Sequence, residues 1–75
     1  MAPTSLDPAA VARNVFIQFP PGLQHALRLA GTRHGWTRDD WTFHVELVQD
    51  ALRHGRASLD ALTTGYAEPP LPFVE

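Results

Sequence analysis

Residues 14–21, NVFIQFPP, decide the fold that this sequence predicts. The apolar side chains at 15, 17 and 19 alternate with those at 14, 16 and 18, and β-branched and aromatic types predominate, a pattern typical of a β-strand. Pro20 and Pro21 end the run. One strand cannot satisfy its own backbone donors and acceptors, so we expect it to pair with the same strand of a second copy.

A first helix is predicted from Pro21 or Gly22 to about His34. Its apolar residues at 23, 26, 27 and 30 follow the spacing of one helical face, and Gly35 suits its C-terminal stop. Gly31 lies inside this helix, where glycine costs about 1 kcal/mol relative to alanine. Its presence indicates a close approach by another part of the structure.

A second helix is predicted from Arg38 to about His54, with Thr37 as its N-cap and Asp40 in the position of a capping-box acid. Apolar residues cover more than half of its circumference, which predicts burial against both its own chain and a second copy. His44 falls on this apolar stripe, and we expect it to be hydrogen-bonded at the interface. The expected dimer interface comprises Val15, Ile17, Phe19, Trp41, Val45, Val48 and Leu52.

Composition excludes several classes of protein. A chain of 75 residues without cysteine and with a net charge of −2 suits one small domain that self-association stabilises. The sequence has no catalytic motif and no metal-ligand spacing, so we expect neither an enzyme nor a cofactor. It also has no apolar run of roughly 20 residues, and we expect a cytoplasmic protein that does not enter a membrane.

The composition along the chain divides it into three parts. Residues 1–13 are predicted to be a flexible arm, in which Asp7 and Pro8 favour a short turn of helix. Residues 14–55 form the folded domain. Residues 56–75 contain a short turn or helix, for which Ser58 is a suitable cap, and then an extended, acidic, proline-rich tail.

The proline-ended strand, Leu23 and Leu27, and the Gly35-x-Thr37 step together resemble the ribbon-helix-helix family, which includes the Arc and MetJ repressors and many antitoxin DNA-binding domains. The similarity covers about residues 13 to 54. It implies a mainly α fold of one short N-terminal strand and two helices per chain, with the strands paired across an intertwined homodimer. Such a ribbon enters the major groove of double-stranded DNA.

The resemblance also implies which residues contact DNA. Asn14, Phe16 and Gln18 would face the bases, where amide side chains can pair with adenine and a phenyl ring can contact a thymine methyl group. Alternatively, Asn14 and Gln18 only solvate an exposed face, and Phe16 contacts a protein. The implied phosphate contacts are Arg13, Thr37 and Arg38.

The C-terminal segment adds a second hypothesis. Its apolar residues resemble the segments by which antitoxins of this family bind a toxin, although a solubilising tail is an equal alternative. The function implied is a homodimeric DNA-binding repressor, such as the antitoxin of a toxin-antitoxin pair. The alternative is a dimeric protein-interaction module or inhibitor that does not bind DNA. The expected partner-binding residues of the tail are Tyr66, Leu71, Phe73 and Val74.

Overall fold

The computed structural model describes residues 7–68, which form four α-helices and, within that range, no β-strand. The helices are α1 (Pro8–Phe16), α2 (Pro21–His34), α3 (Arg38–Arg53) and α4 (Leu59–Ala67). Short turns at 17–20, 35–37 and 54–58 join them. The described part of the chain is therefore entirely helices and the turns between them.

The strand predicted over 14–19 is wrong, and with it the ribbon-helix-helix fold. Residues 14–16 are the last part of α1, and residues 17–19 form the turn that leads to α2. A ribbon shared by two copies therefore has no strand from which to form in residues 7–68. The part of the expected arm from Pro8 to Arg13 begins α1, with Asp7 accepting a hydrogen bond from the Ala9 amide as N-cap.

Tertiary packing explains why helix prevails over strand in this stretch. Ala12, Val15 and Phe16 recur at helical spacing, so α1 presents one apolar face, and the turn that follows brings Phe19 to the same core. Ala12 and Phe19 are buried in the core, and Phe16 packs against it. Helix formation also satisfies the backbone within the chain, which a lone strand cannot do.

The side chain of Gln24 fixes the turn between α1 and α2. Its amide nitrogen donates to the carbonyl oxygens of Ile17 at 3.2 Å and Phe19 at 2.8 Å. The first bond satisfies the carbonyl of the α1 C-cap, and the second satisfies a carbonyl of the turn itself. The last residues of the predicted strand are consequently held in a turn.

The predicted α2 and α3 are confirmed. Gly35 adopts the left-handed conformation, with φ 65°, at the end of α2. Thr37 and Asp40 form the capping box at the start of α3, each side chain bonding to the other's backbone nitrogen. Ser58 caps α4 as expected, and α4 continues through Gly65 to Ala67.

The helices pack as two pairs around a common core. α1 lies against α3, and α2 lies against α4. Leu23, Leu27 and Val48 are fully buried in this core, and the other buried apolar residues are Ala12, Phe19, Ala26, Ala30 and Val45. α4 contributes no fully buried residue, and Leu62 and Tyr66 attach it to this core.

Candidate functional site

A groove opens between α1, α2 and the N-terminal half of α3. Its volume is about 450 Å³, within the range of pockets that hold a small ligand or a few side chains of a partner. The floor is apolar and includes Ala12, Phe16, Trp41 and Val45. We call it the arginine groove, because three arginines surround this floor.

Two aromatic rings form the centre of the floor. The ring of Phe16 meets that of Trp41 edge to face, with centroids 5.9 Å apart and planes at 87°. Trp41 makes a second edge contact with Trp36, at 4.9 Å between centroids. Because packing holds these rings on several sides, the floor presents a preformed apolar surface.

The three arginines come from three different helices. Arg13 lies in the last turn of α1, Arg28 on the exposed face of α2, and Arg38 at the first position of α3. The Arg28 guanidinium lies over the Phe16 ring, 5.3 Å from its centroid, a cation–π arrangement. Half of the chain's six basic residues thus line one groove, and none of the described residues lining it is acidic.

Asp7 lies beside the groove and forms an ion pair with one of these arginines, Arg38. Its Oδ2 accepts from Nη2 of Arg38 at 2.7 Å, and its Oδ1 accepts from the Ala9 amide at 3.2 Å. Both side chains of this ion pair are more than half exposed. The carboxylate shows that an anionic oxygen can bind Arg38 in the geometry that the helices impose.

A second groove, between α2, α3 and α4, has a different character. Its lining includes the charged residues Arg33, Asp40 and Glu68 together with His34 and His44, so both signs of charge are present. The His44 ring stacks on Trp36 at 4.0 Å between centroids, and its Nδ1 lies 3.0 Å from the Tyr66 hydroxyl. These contacts join α3 to α4.

Burial perturbs both partners of the His44–Tyr66 pair. It lowers the pKa of the His44 imidazole below its ordinary value; nearby Asp40 opposes the shift and His34 adds to it. Burial raises the pKa of the Tyr66 hydroxyl. Both groups therefore favour their neutral forms, which suits a structural contact between helices.

Arg33 also secures α4. Its Nη2 donates to the carbonyl oxygens of Tyr66 at 2.9 Å and Glu68 at 3.1 Å. Carbonyls at a helix C-terminus lack partners within the helix, and a positive charge there is favourable. The polar residues of the second groove thus serve to hold α4 against α2 and α3.

The three residues expected to contact bases do not share one exposed face. Asn14 is exposed on α1, Gln18 is exposed in the following turn, and Phe16 turns into the floor of the arginine groove. A face common to all three required the two-residue repeat of a strand, whereas the helical turn of α1 directs Phe16 away from the side of Asn14. Of the expected phosphate contacts, Arg13 and Arg38 lie together on the groove, whereas Thr37 is engaged in its capping box.

Most residues expected at a dimer interface pack within one chain. Phe19, Val45 and Val48 are buried in the core of this chain, and Ile17 is exposed over 62% of its surface. Homodimer formation therefore stays a prediction that these positions do not support. The remaining members, which are partly buried against the core, are Val15, Trp41 and Leu52.

The sequence pattern did not reveal Arg28 as a groove residue. The helical repeat of residues 23, 26, 27 and 30 leaves Arg28 on the opposite, solvent side of α2, and no local spacing connects it with Phe16, twelve positions earlier. Of the residues predicted to bind a partner through the tail, Tyr66 joins α4 to α3 through His44. Leu71, Phe73 and Val74 lie outside the described residues.

No protein-family model, curated protein or solved structure matches this chain. Among the described helices, none has both the length and the apolar content to cross a bilayer. Within residues 7–68, no three His, Asp or Glu side chains are grouped as a metal ion would require. The arginine groove is therefore taken as the candidate binding site within residues 7–68.

Proposed function

We propose that this protein is a small protein-interaction module whose arginine groove binds an acidic segment of a partner protein. The observation that carries the proposal is the convergence of Arg13, Arg28 and Arg38 on the apolar floor formed by Phe16 and Trp41. Cytoplasmic location and the absence of catalysis are part of this proposal. They rest on the composition and motifs of the sequence.

Charge complementarity supports an anionic partner. The chain as a whole carries −2, yet the groove is lined by three positive groups, so the excess of acids lies elsewhere in the chain. Clustered charge of one sign steers an oppositely charged segment toward the groove. The rest of the chain repels the same segment, which favours binding at this one place.

Exposed ion pairs are weak, so the three arginines alone cannot hold a partner segment in the groove. Each such pair contributes roughly 0–1 kcal/mol, so three pairs do not offset the entropy lost on association. Burying one large apolar side chain contributes about 1.5–3 kcal/mol. The aromatic floor supplies a place for such a side chain, and we therefore infer a ligand that carries both carboxylates and an apolar anchor.

DNA binding is the second candidate. Arg13 and Arg38, both expected to contact phosphates, line the same groove. However, Asp39 and Asp40 follow Arg38 directly on α3, and the net charge is negative. A DNA duplex presents many phosphates over a broad surface, and some of them would lie next to Asp39 and Asp40. These acids therefore repel a duplex more than a short peptide that contacts only the groove.

The two candidates are separated by titration of the full chain with two probes. One is a short fluorescein-labelled peptide in which an aspartate stands on each side of a phenylalanine, and the other is a labelled mixed-sequence DNA duplex. We expect the peptide to bind and the duplex to bind only weakly at moderate salt. Tight duplex binding with a steep salt dependence would favour the second candidate.

Charge-matched variants locate the binding surface. Arg28→Gln and Arg13→Gln should each weaken peptide binding by about two- to fivefold, because each removes one exposed charge pair worth up to about 1 kcal/mol. Arg53→Gln, at the exposed end of α3 and outside the groove lining, changes the net charge equally and should have little effect. Equal affinities in all three variants would show that the arginine groove is not the site.

A further inference from the structure

The carboxylate of Asp7 performs two roles at the edge of the arginine groove. One oxygen caps α1 through the Ala9 amide, and the other binds Arg38. Of these two bonds, only the one to Arg38 involves a charged group that lines the groove. Arg13 and Arg28 line the same groove, and no ion pair joins either of them to an acid of the described residues.

We propose that Asp7 occupies the position of a ligand carboxylate, so that it competes with the partner for Arg38. The full ligand is then a segment in which two carboxylates flank a large apolar side chain. One carboxylate displaces Asp7 from Arg38, the other binds Arg13 or Arg28, and the side chain lies on Phe16 and Trp41. This inference rests on the proposed function and specifies its ligand.

The exposure and bonding of Asp7 make its displacement feasible. The Asp7–Arg38 pair is largely exposed, with side-chain exposures of 52% and 70%, and exposed pairs are weak. The cap uses the other carboxylate oxygen, so α1 keeps its N-cap when Arg38 is released. A ligand with two carboxylates and an anchor makes more contacts in the groove than the single carboxylate of Asp7.

The test uses variants that separate the cap from the ion pair. Serine and asparagine are both good N-cap residues, so Asp7→Ser and Asp7→Asn preserve α1 while removing the charge. Asp60→Ser is the matched control, because Asp60 is an exposed acid in the first turn of α4 and not part of the groove lining. Thermal unfolding of each variant verifies that it is folded.

We expect Asp7→Ser to bind the aspartate–phenylalanine–aspartate peptide about two- to fivefold more tightly than the unaltered chain. Asp7→Asn should change in the same direction, and Asp60→Ser should gain less. The gain should disappear when Arg38→Gln is combined with Asp7→Ser, because the released cation is then absent. A second peptide, with one aspartate replaced by asparagine, should gain less from Asp7→Ser.

The outcomes distinguish this inference from the proposed function. If the peptide binds and Asp7→Ser equals Asp60→Ser, Asp7 does not compete and the inference is overturned while the proposed function stands. If the gain persists in the double variant, Arg38 is not the position concerned and the inference is likewise overturned. If no folded variant binds the peptide at all, the proposed function itself is wrong.

Discussion

The indole ring of Trp41 lies directly against the backbone of Gly31. A Cβ atom at Gly31 would lie 3.0 Å from Cε2 and Cη2 of Trp41 and closer still to Cζ2. This contact brings α2 and α3 together and sets the position of Trp41 in the floor of the arginine groove. It is the close approach that a glycine inside a helix led us to expect.

Gly31→Ala should therefore destabilise the fold. The Trp41 ring cannot move aside cheaply, because the rings of Phe16 and Trp36 both pack against it. Overpacking typically costs about 1–3 kcal/mol, which exceeds the helical preference for alanine of about 1 kcal/mol. We expect a lower free energy of unfolding in urea titrations followed by circular dichroism.

Gly65→Ala provides the matched control. Gly65 is also inside a helix, but a Cβ atom there would meet no other described residue within 4 Å. The change should raise the free energy of unfolding by about 0.5–1 kcal/mol through helix propensity alone. A stabilised Gly31→Ala variant would contradict the contact with Trp41.

Asn14 tests whether its segment is helical in solution. It is an exposed residue within α1, so Asn14→Ala should stabilise the chain by about 0.5 kcal/mol because alanine is the better helix former. Asn14→Val should be less stable than Asn14→Ala. In a strand the order would reverse, since valine favours strands and alanine does not. Thermal unfolding of the two variants decides between these orders.

His44 should make stability depend on pH. Burial lowers its pKa, so below about pH 6.5, the ordinary value for histidine, the unfolded chain binds the proton more readily than the folded chain. The free energy of unfolding that the neutral His44 imidazole contributes is therefore complete above that pH and is lost as the pH falls below it. We expect the unfolding temperature to decrease between pH 7 and pH 5.

Two histidine variants test whether His44 causes the decrease in unfolding temperature. His44→Gln should be less stable at pH 7 but should show a smaller decrease on acidification, because glutamine does not titrate. His25→Gln, on the exposed face of α2, should retain the decrease of the unaltered chain. If both variants lose the same amount between pH 7 and pH 5, His44 is not the group responsible.

Arg33→Gln should loosen α4 selectively. The variant loses the two bonds to the carbonyls of Tyr66 and Glu68 and the favourable charge at the helix end. Hydrogen exchange of the α4 amides should accelerate several-fold, while amides in the middle of α3 stay protected. Arg53→Gln removes the same charge elsewhere and should leave α4 exchange unchanged. Uniform acceleration across all helices would instead indicate global destabilisation.

Local sequence signals were sufficient for α2 and α3. Gly35 and the Thr37–Asp40 capping box act within a few residues of themselves, so their chemistry is readable from spacing alone. Asp7 with Pro8 likewise marks the true start of α1. The close approach at Gly31 could be predicted, although its partner could not.

The course of residues 14–19 and the composition of the groove depended on packing between distant segments. Residues 14–19 fit the two-residue repeat of a strand, but the core contacts of Ala12, Val15 and Phe16 favour the helix, and Phe19 reaches the same core from the turn that follows. Arg13, Arg28 and Arg38 line one groove only because α1 packs on α3 and the tertiary fold places Arg28 of α2 next to that pair. Nearest-neighbour chemistry therefore sets the helix ends, whereas burial of side chains far apart in the chain sets the fold and the candidate site.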